Sequence, residues 1–97
     1  MTTLAHRSAT AAQQPSRKPL YLVGPAPARV DAGADHLVLH KGAGCPMRFP
    51  LARVCRVICT RHLTWSGAAL ALCLGRGVPI TWVDSHGHAL GTTQSHY

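Results

Sequence analysis

The residues of this chain that could do chemistry are three aspartates, seven histidines, four cysteines and a surplus of arginine. Acid–base catalysis by paired carboxylates has little to draw on, because Asp31, Asp35 and Asp84 are the whole acidic complement. Asp31 and Asp35 fall in or beside a turn and Asp84 follows an apolar run. At such places an aspartate accepts hydrogen bonds from its own backbone, so a structural role is expected for each. The four cysteines, Cys45, Cys55, Cys59 and Cys73, contain no C-x-x-C pair. Cys55 and Cys59, four apart on a strand, would stand roughly 13 Å apart, too far to share an ion. Three of the four lie in apolar runs, where a free thiol packs as a small hydrophobe. His86-Gly87-His88 reads as a solvated turn. No nucleophile elbow surrounds Ser66, Ser85 or Cys45, and the glycines form neither a P-loop nor a G-x-G-x-x-G turn. No catalytic and no metal-binding residue is assigned.

The arginines are left. Ten Lys plus Arg stand against three Asp plus Glu, a formal charge of +7. Most are arginine, whose planar fork of donors suits phosphate. Arg53, Arg56 and Arg61, with His62, line one strand and the turn after it, while Lys41 and Arg48 flank the preceding hairpin. If neighbouring strands carry these to one face, with Arg29 as an extension, they make a stripe that tracks a nucleic-acid backbone without reading sequence. The competing reading is that the charge solvates the surface. Tyr21, Trp65 and Trp82 likewise have two readings, stacking on an unpaired base or filling a thin core and a dimer seam.

The elements that would position these residues follow from the pattern. Ninety-seven residues make one small domain, which buries about 60–65% of the surface its extended chain exposes. No apolar run approaches the roughly 18 residues of a membrane span. Free cysteines in apolar runs point to a reducing cytoplasm. Residues 1–19, polar and basic without an acid, read as a disordered tail, and 20–97 as the folded β-domain.

Leu20–Val23, Ala28–Asp31, His36–His40 and Cys45–Phe49 read as short strands separated by Gly, Pro and Asp turns, in the manner of a β-meander. Val54–Cys59 is nearly continuous in apolar character, as for a central strand covered on both faces. A helix from about Trp65 to Leu74, capped by Thr64 or Ser66 and stopped by Gly75 and Gly77, is apolar nearly all round. It should be buried on more than one side. Val78–Val83 and Ala89–Gly91 form a closing hairpin. The expected fold is mostly β (α+β), a small two-sheet sandwich or meander of seven or eight short strands with one central helix.

The segment Thr64–Gly91 carries Ala68-Ala69-Leu70, Leu74, Gly77-Val78-Pro79-Ile80, Val83-Asp84, Gly87 and Leu90-Gly91 in an order that resembles the N-terminal β-domain of the universal CRISPR adaptation integrase family. The likeness extends back through Pro50–Val54 and Leu37–Leu39 to Leu20–Val23. It implies a domain that pairs into a homodimer and helps hold double-stranded or fork-ended prespacer DNA during spacer acquisition in antiviral defence.

The family's integrase and endonuclease chemistry belongs to a separate helical domain, which carries the ligands for Mg or Mn. A small second adaptation subunit is the further partner. None of those ligands has a counterpart in this chain, so on its own it is not expected to cut or join DNA. Some members hold the splayed DNA end with an aromatic wedge after the first strand, where this chain has Ala26-Pro27-Ala28. Two other readings stay open: a dimerisation module that recruits partner subunits without touching DNA, and a small Cys/His metalloprotein.

Overall fold

The structure, a computed structural model, describes residues 16–24 and 26–93. Most of the expected tail, residues 1–15, lies outside them, as does Pro25 of the first turn. Eight strands and one α-helix follow in order: β1 Lys18–Leu22, β2 Ala28–Ala32, β3 His36–His40, β4 Met47–Pro50, β5 Val54–Thr60, β6 Leu63–Trp65, α1 Gly67–Gly75, β7 Ile80–Val83 and β8 Ala89–Thr92. A single 3-10 turn, Leu51–Arg53, joins β4 to β5.

The strands form two four-stranded sheets, β1-β5-β7-β8 and β4-β3-β2-β6. Only β2, β3 and β4 make the expected meander. The chain otherwise alternates between sheets, so β1 pairs parallel to β5, β5 to β7 and β2 to β6. Such pairings join segments far apart in sequence, and hydrophobic alternation does not announce them.

Between the sheets lies the core. From the first sheet come Leu20 and Leu22, Val57 and Cys59, Ile80 and Trp82; from the second come Val30, Leu37, Leu39, Phe49, Leu63 and Trp65. Each set occupies alternate positions of its strand, as the two-residue period requires. Trp65 and Trp82 meet edge to face across the gap, ring centroids 6.4 Å apart. In β5 the register skips Cys55, so this extra residue bulges and Val54 turns inward along with Val57 and Cys59. A second irregularity, between β7 and β8, leaves Leu90 as the extra residue.

The expected helix is shorter than the pattern suggested, because Leu63-Thr64-Trp65 pairs with β2 as a strand. Ser66 then caps it, its Oγ accepting from the Ala69 N–H at 3.1 Å. At the other end Gly77 takes φ +69°, its N–H donates to the Leu74 carbonyl, and the Val78 N–H donates to the Cys73 carbonyl. This is the Schellman arrangement, with buried Val78 against buried Cys73 as its apolar clasp. Burial on more than one side is not what the helix shows. It packs against β2 and buries Ala69 and Cys73, while Leu70 and Leu72 are half-buried and Ala68, Ala71 and Leu74 are exposed. All-round apolarity cannot tell which sides of a nine-residue helix a small domain covers.

No helix among the described residues is long and apolar enough to cross a membrane.

Candidate nucleic-acid interface

The two sheets present unlike outer faces. On the β4-β3-β2-β6 sheet one outward row runs Arg48, Val38, Asp31 and the next runs His40, Arg29, Thr64. The outer face of the β1-β5-β7-β8 sheet carries the row Tyr21, Ile58, Thr81, Thr92, with Thr60, Val83 and Ala89 beside it and Arg56 opposite Pro19. Arg56 and Arg29 therefore project from opposite sides of the sandwich. The central strand β5 is covered on its inner face; on its outer face Arg56 is exposed and Ile58 and Thr60 are half-buried. That departs from the expected cover on both faces, since one helix is too little to clothe two sheets.

Arg53 and Arg61 stand at the two ends of β5, about 26 Å apart at a strand's rise per residue. The seven candidates therefore do not form one stripe along this strand. Four of them do gather. Strands β1, β3, β5 and β7 all finish at one end of the sandwich, where β2 and β6 begin. Arg29 is the second residue of β2, Lys41 begins the β3–β4 turn, and Arg61-His62 is the whole β5–β6 turn. Arg53 lies at the other end near the turn that holds Asp35, whose carbonyl accepts from the Leu51 N–H. Arg48 sits mid-strand on the outer face of the second sheet.

Two adjoining cavities open at the basic end. One, of about 540 Å³, is lined by Val23, Gly24, Arg61, His62, Val83 and Leu90 among others. The other, of about 430 Å³, is lined by Leu22, Leu39, Phe49 and Leu63 together with Tyr21, Lys41 and Met47. Val23, Gly24 and Thr60 border both. Sequence reasoning passed over these three and Leu90; the signal open to it was the place of Val23 and Gly24 just after a strand and of Thr60 at a strand's last residue, where the chain leaves the sheet.

The acidic groups are occupied structurally. Asp31 Oδ1 accepts from the Ala32 N–H at 2.9 Å and from the Ser66 hydroxyl at 3.1 Å. These bonds hold its carboxyl below the ordinary value of 3.8, the Ala32 N–H contributing most. Beyond the expected local role, then, Asp31 supports the helix cap from 35 residues away. Asp84 Oδ1 accepts from the His86 and His88 N–H groups, both at 2.9 Å, and Oδ2 lies 3.6 Å from His88 Nδ1. Asp35 sits 3.5 Å from His36 Nδ1.

All four cysteines are free. Burial pushes the Cys73 thiol up to about 11 and raises that of Cys59, which the indole N–H of Trp65 pulls partly back. Such thiols stay protonated and inert at neutral pH. Among the described residues no group of three or more His, Cys, Asp or Glu could hold a metal ion. The dispersed, hydrogen-bonded carboxylates do not fit the Mg or Mn of the integrase reaction.

Comparison with known proteins agrees with this architecture. No curated protein sequence matches the chain. Solved structures with the same fold include a Cas1 protein from Thermotoga maritima (TM-score 0.72, 16% identity, 84% of this chain and 24% of that one). A Cas1–DNA complex of TtCas1 matches at TM-score 0.71 and 16% identity, over 87% of this chain and 31% of that one. A casposase bound to integration product matches at 0.59 and 17%, over 79% and 25%. The chain thus spans about a quarter to a third of these neighbours. The family profile described as CRISPR associated protein Cas1 matches residues 21–97, most of the chain, and the protein accordingly belongs to the Cas1 family.

Proposed function

We propose that this chain is the non-catalytic β-domain of a cytoplasmic CRISPR spacer-acquisition integrase, which dimerises and positions prespacer DNA for metal-dependent integration by a separate helical domain. The observation that carries this reading is the gathering of Arg29, Lys41, Arg61 and His62 at one end of a chain of formal charge +7. Phosphates of a duplex or fork would lie across that end, gripped without regard to sequence. Neighbours of the same fold are described in complex with DNA and with Cas2, which supports DNA and a small second subunit as partners. The dimer seam is the outer face of the β1-β5-β7-β8 sheet. Parallel strands are ordinarily covered on both faces, and this face offers Tyr21, 62% exposed, with Ile58 and Val83.

The test is fluorescence anisotropy of the purified chain with a fork-ended duplex at several salt concentrations. Expected are a negative log–log slope of a few units and similar affinity for unrelated sequences. Arg29→Glu, Lys41→Glu and Arg61→Glu should each weaken binding more than Arg53→Glu does. Absence of binding at low salt would leave the dimerisation module, which the apolar outer face favours on its own account.

A further inference from the structure

The larger cavity occupies a particular place in the topology. Strands β1, β5 and β7 are parallel neighbours and end together at Leu22, Thr60 and Val83. From β1 and β5 the chain crosses to the other sheet, whereas from β7 it turns back into β8. The β5 and β7 connections diverge there, and the carboxyl ends of parallel strands with diverging connections are where ligands sit in open sheets. Here the cavity is lined by Val23 and Gly24 after β1, Arg61 and His62 after β5, Asp84, Ser85 and Gly87 after β7, and Leu90 from the bulge in β8.

We propose that this cleft binds a single nucleoside phosphate, the phosphate on Arg61 and His62 and the base against Val23 and Leu90. Its volume of about 540 Å³ falls in the roughly 300–1,000 Å³ span of small-molecule sites. Val23 and Leu90 are 53% and 59% exposed, an apolar wall beside a basic one. The bulge is what aims Leu90 at the cleft, as bulges beside binding sites do. Asp84 also lines the cleft, its Oδ1 accepting from the His86 and His88 N–H groups and its Oδ2 3.6 Å from His88 Nδ1. Across the mouth the Thr60 hydroxyl donates to the Gly24 carbonyl at 3.4 Å, tying the β1 and β5 exits together.

The inference goes beyond the DNA-positioning reading, since a free nucleotide would enter the cleft even in a chain that grips no duplex. The nucleotide comes either free or as the terminal residue of a strand, and one experiment separates these sources. The ¹⁵N-labelled full chain is titrated with dTMP, thymidine, inorganic phosphate and a short 5′-phosphorylated thymidine strand, following backbone amide shifts. Saturable shifts at Gly24, Arg61, His62, Ser85 and Gly87 are expected with dTMP, and thymidine or phosphate alone should bind about tenfold more weakly. Arg61→Gln and the exposed-site variant Leu90→Ser should each weaken dTMP about tenfold while the remaining spectrum stays folded. A strand that binds tighter than dTMP identifies a chain terminus as the source; equal affinity identifies the free nucleotide. Absence of saturable cleft shifts with both dTMP and the strand, shifts that survive both substitutions, or phosphate binding as well as dTMP would overturn the proposal. If the duplex binds in the anisotropy experiment while these shifts fail, the cleft is refuted and the DNA-positioning reading stands.

Discussion

The two sheets share one core yet solve their outer faces differently. The β4-β3-β2-β6 sheet contains the antiparallel meander, and its solvent side alternates into Arg29, Asp31, His36, His40 and Arg48, with Val38 alone apolar among them on β3. The β1-β5-β7-β8 sheet is mostly parallel, and its solvent side is Tyr21, Ile58, Val83 and threonines with a single arginine. Antiparallel strands joined by local turns can afford one wet face, whereas parallel strands are ordinarily clothed on both. The contrast leaves two unlike outer faces within 97 residues, one mostly polar and one mostly apolar and threonine-lined.

That contrast can be broken or sharpened by substitution. The core should not distinguish the sheets: Ile80→Ala and Leu37→Ala, both at positions with 0% exposure, should each destabilise by about 2–5 kcal/mol in chemical denaturation. A large inequality between them would mean that one sheet alone forms the stable unit.

The outer faces should distinguish them. Ile58→Lys should weaken self-association at least about tenfold in sedimentation equilibrium, roughly 1.4 kcal/mol, while Val38→Lys at the equivalent place on the other sheet should not. Equal effects would mean that the two outer faces do not differ in self-association. Ser66→Ala, which removes the helix cap and its bond to Asp31, should cost about 1 kcal/mol in thermal or denaturant unfolding.

The smallest effect concerns pH. Because the folded-state carboxyl of Asp31 is depressed, its stabilisation is fully present above the ordinary value of 3.8 and is lost as pH falls through the lower folded value. Asp31→Asn should flatten that part of the acid-unfolding curve. An unchanged curve would show that another group governs acid stability.

Much of this was readable from residue order. The strand-forming runs, the turns at Gly33 and Gly42, the apolar helix and its stop at Gly77 each declare themselves locally. What was hidden depends on distant partners. Leu63-Thr64-Trp65 is too short to read as a strand without β2 beside it, and Asp31 looks like a turn residue until Ser66 arrives. Which arginines meet depends on which strands end together, and the parallel pairings decide that. Lys41, Arg61 and His62 are neighbours of the cavities for this reason, while Arg53, closer to Arg56 in sequence, stands at the far end.

The parallel pairings also bear on how the chain folds in time. Pairing β1 with β5 and β2 with β6 closes loops of more than thirty residues before any ladder forms, and such closure is slow relative to hairpin formation. The β2–β3–β4 meander is the part able to form early from local contacts. A nine-residue helix has little stability alone, and its cap is steadied by a carboxylate on β2. Helix formation and the joining of the sheets are thereby tied to one late event. A freshly made chain would meanwhile expose the edges of β1 and β5, and rapid burial of those edges would govern how much of it reaches the folded state.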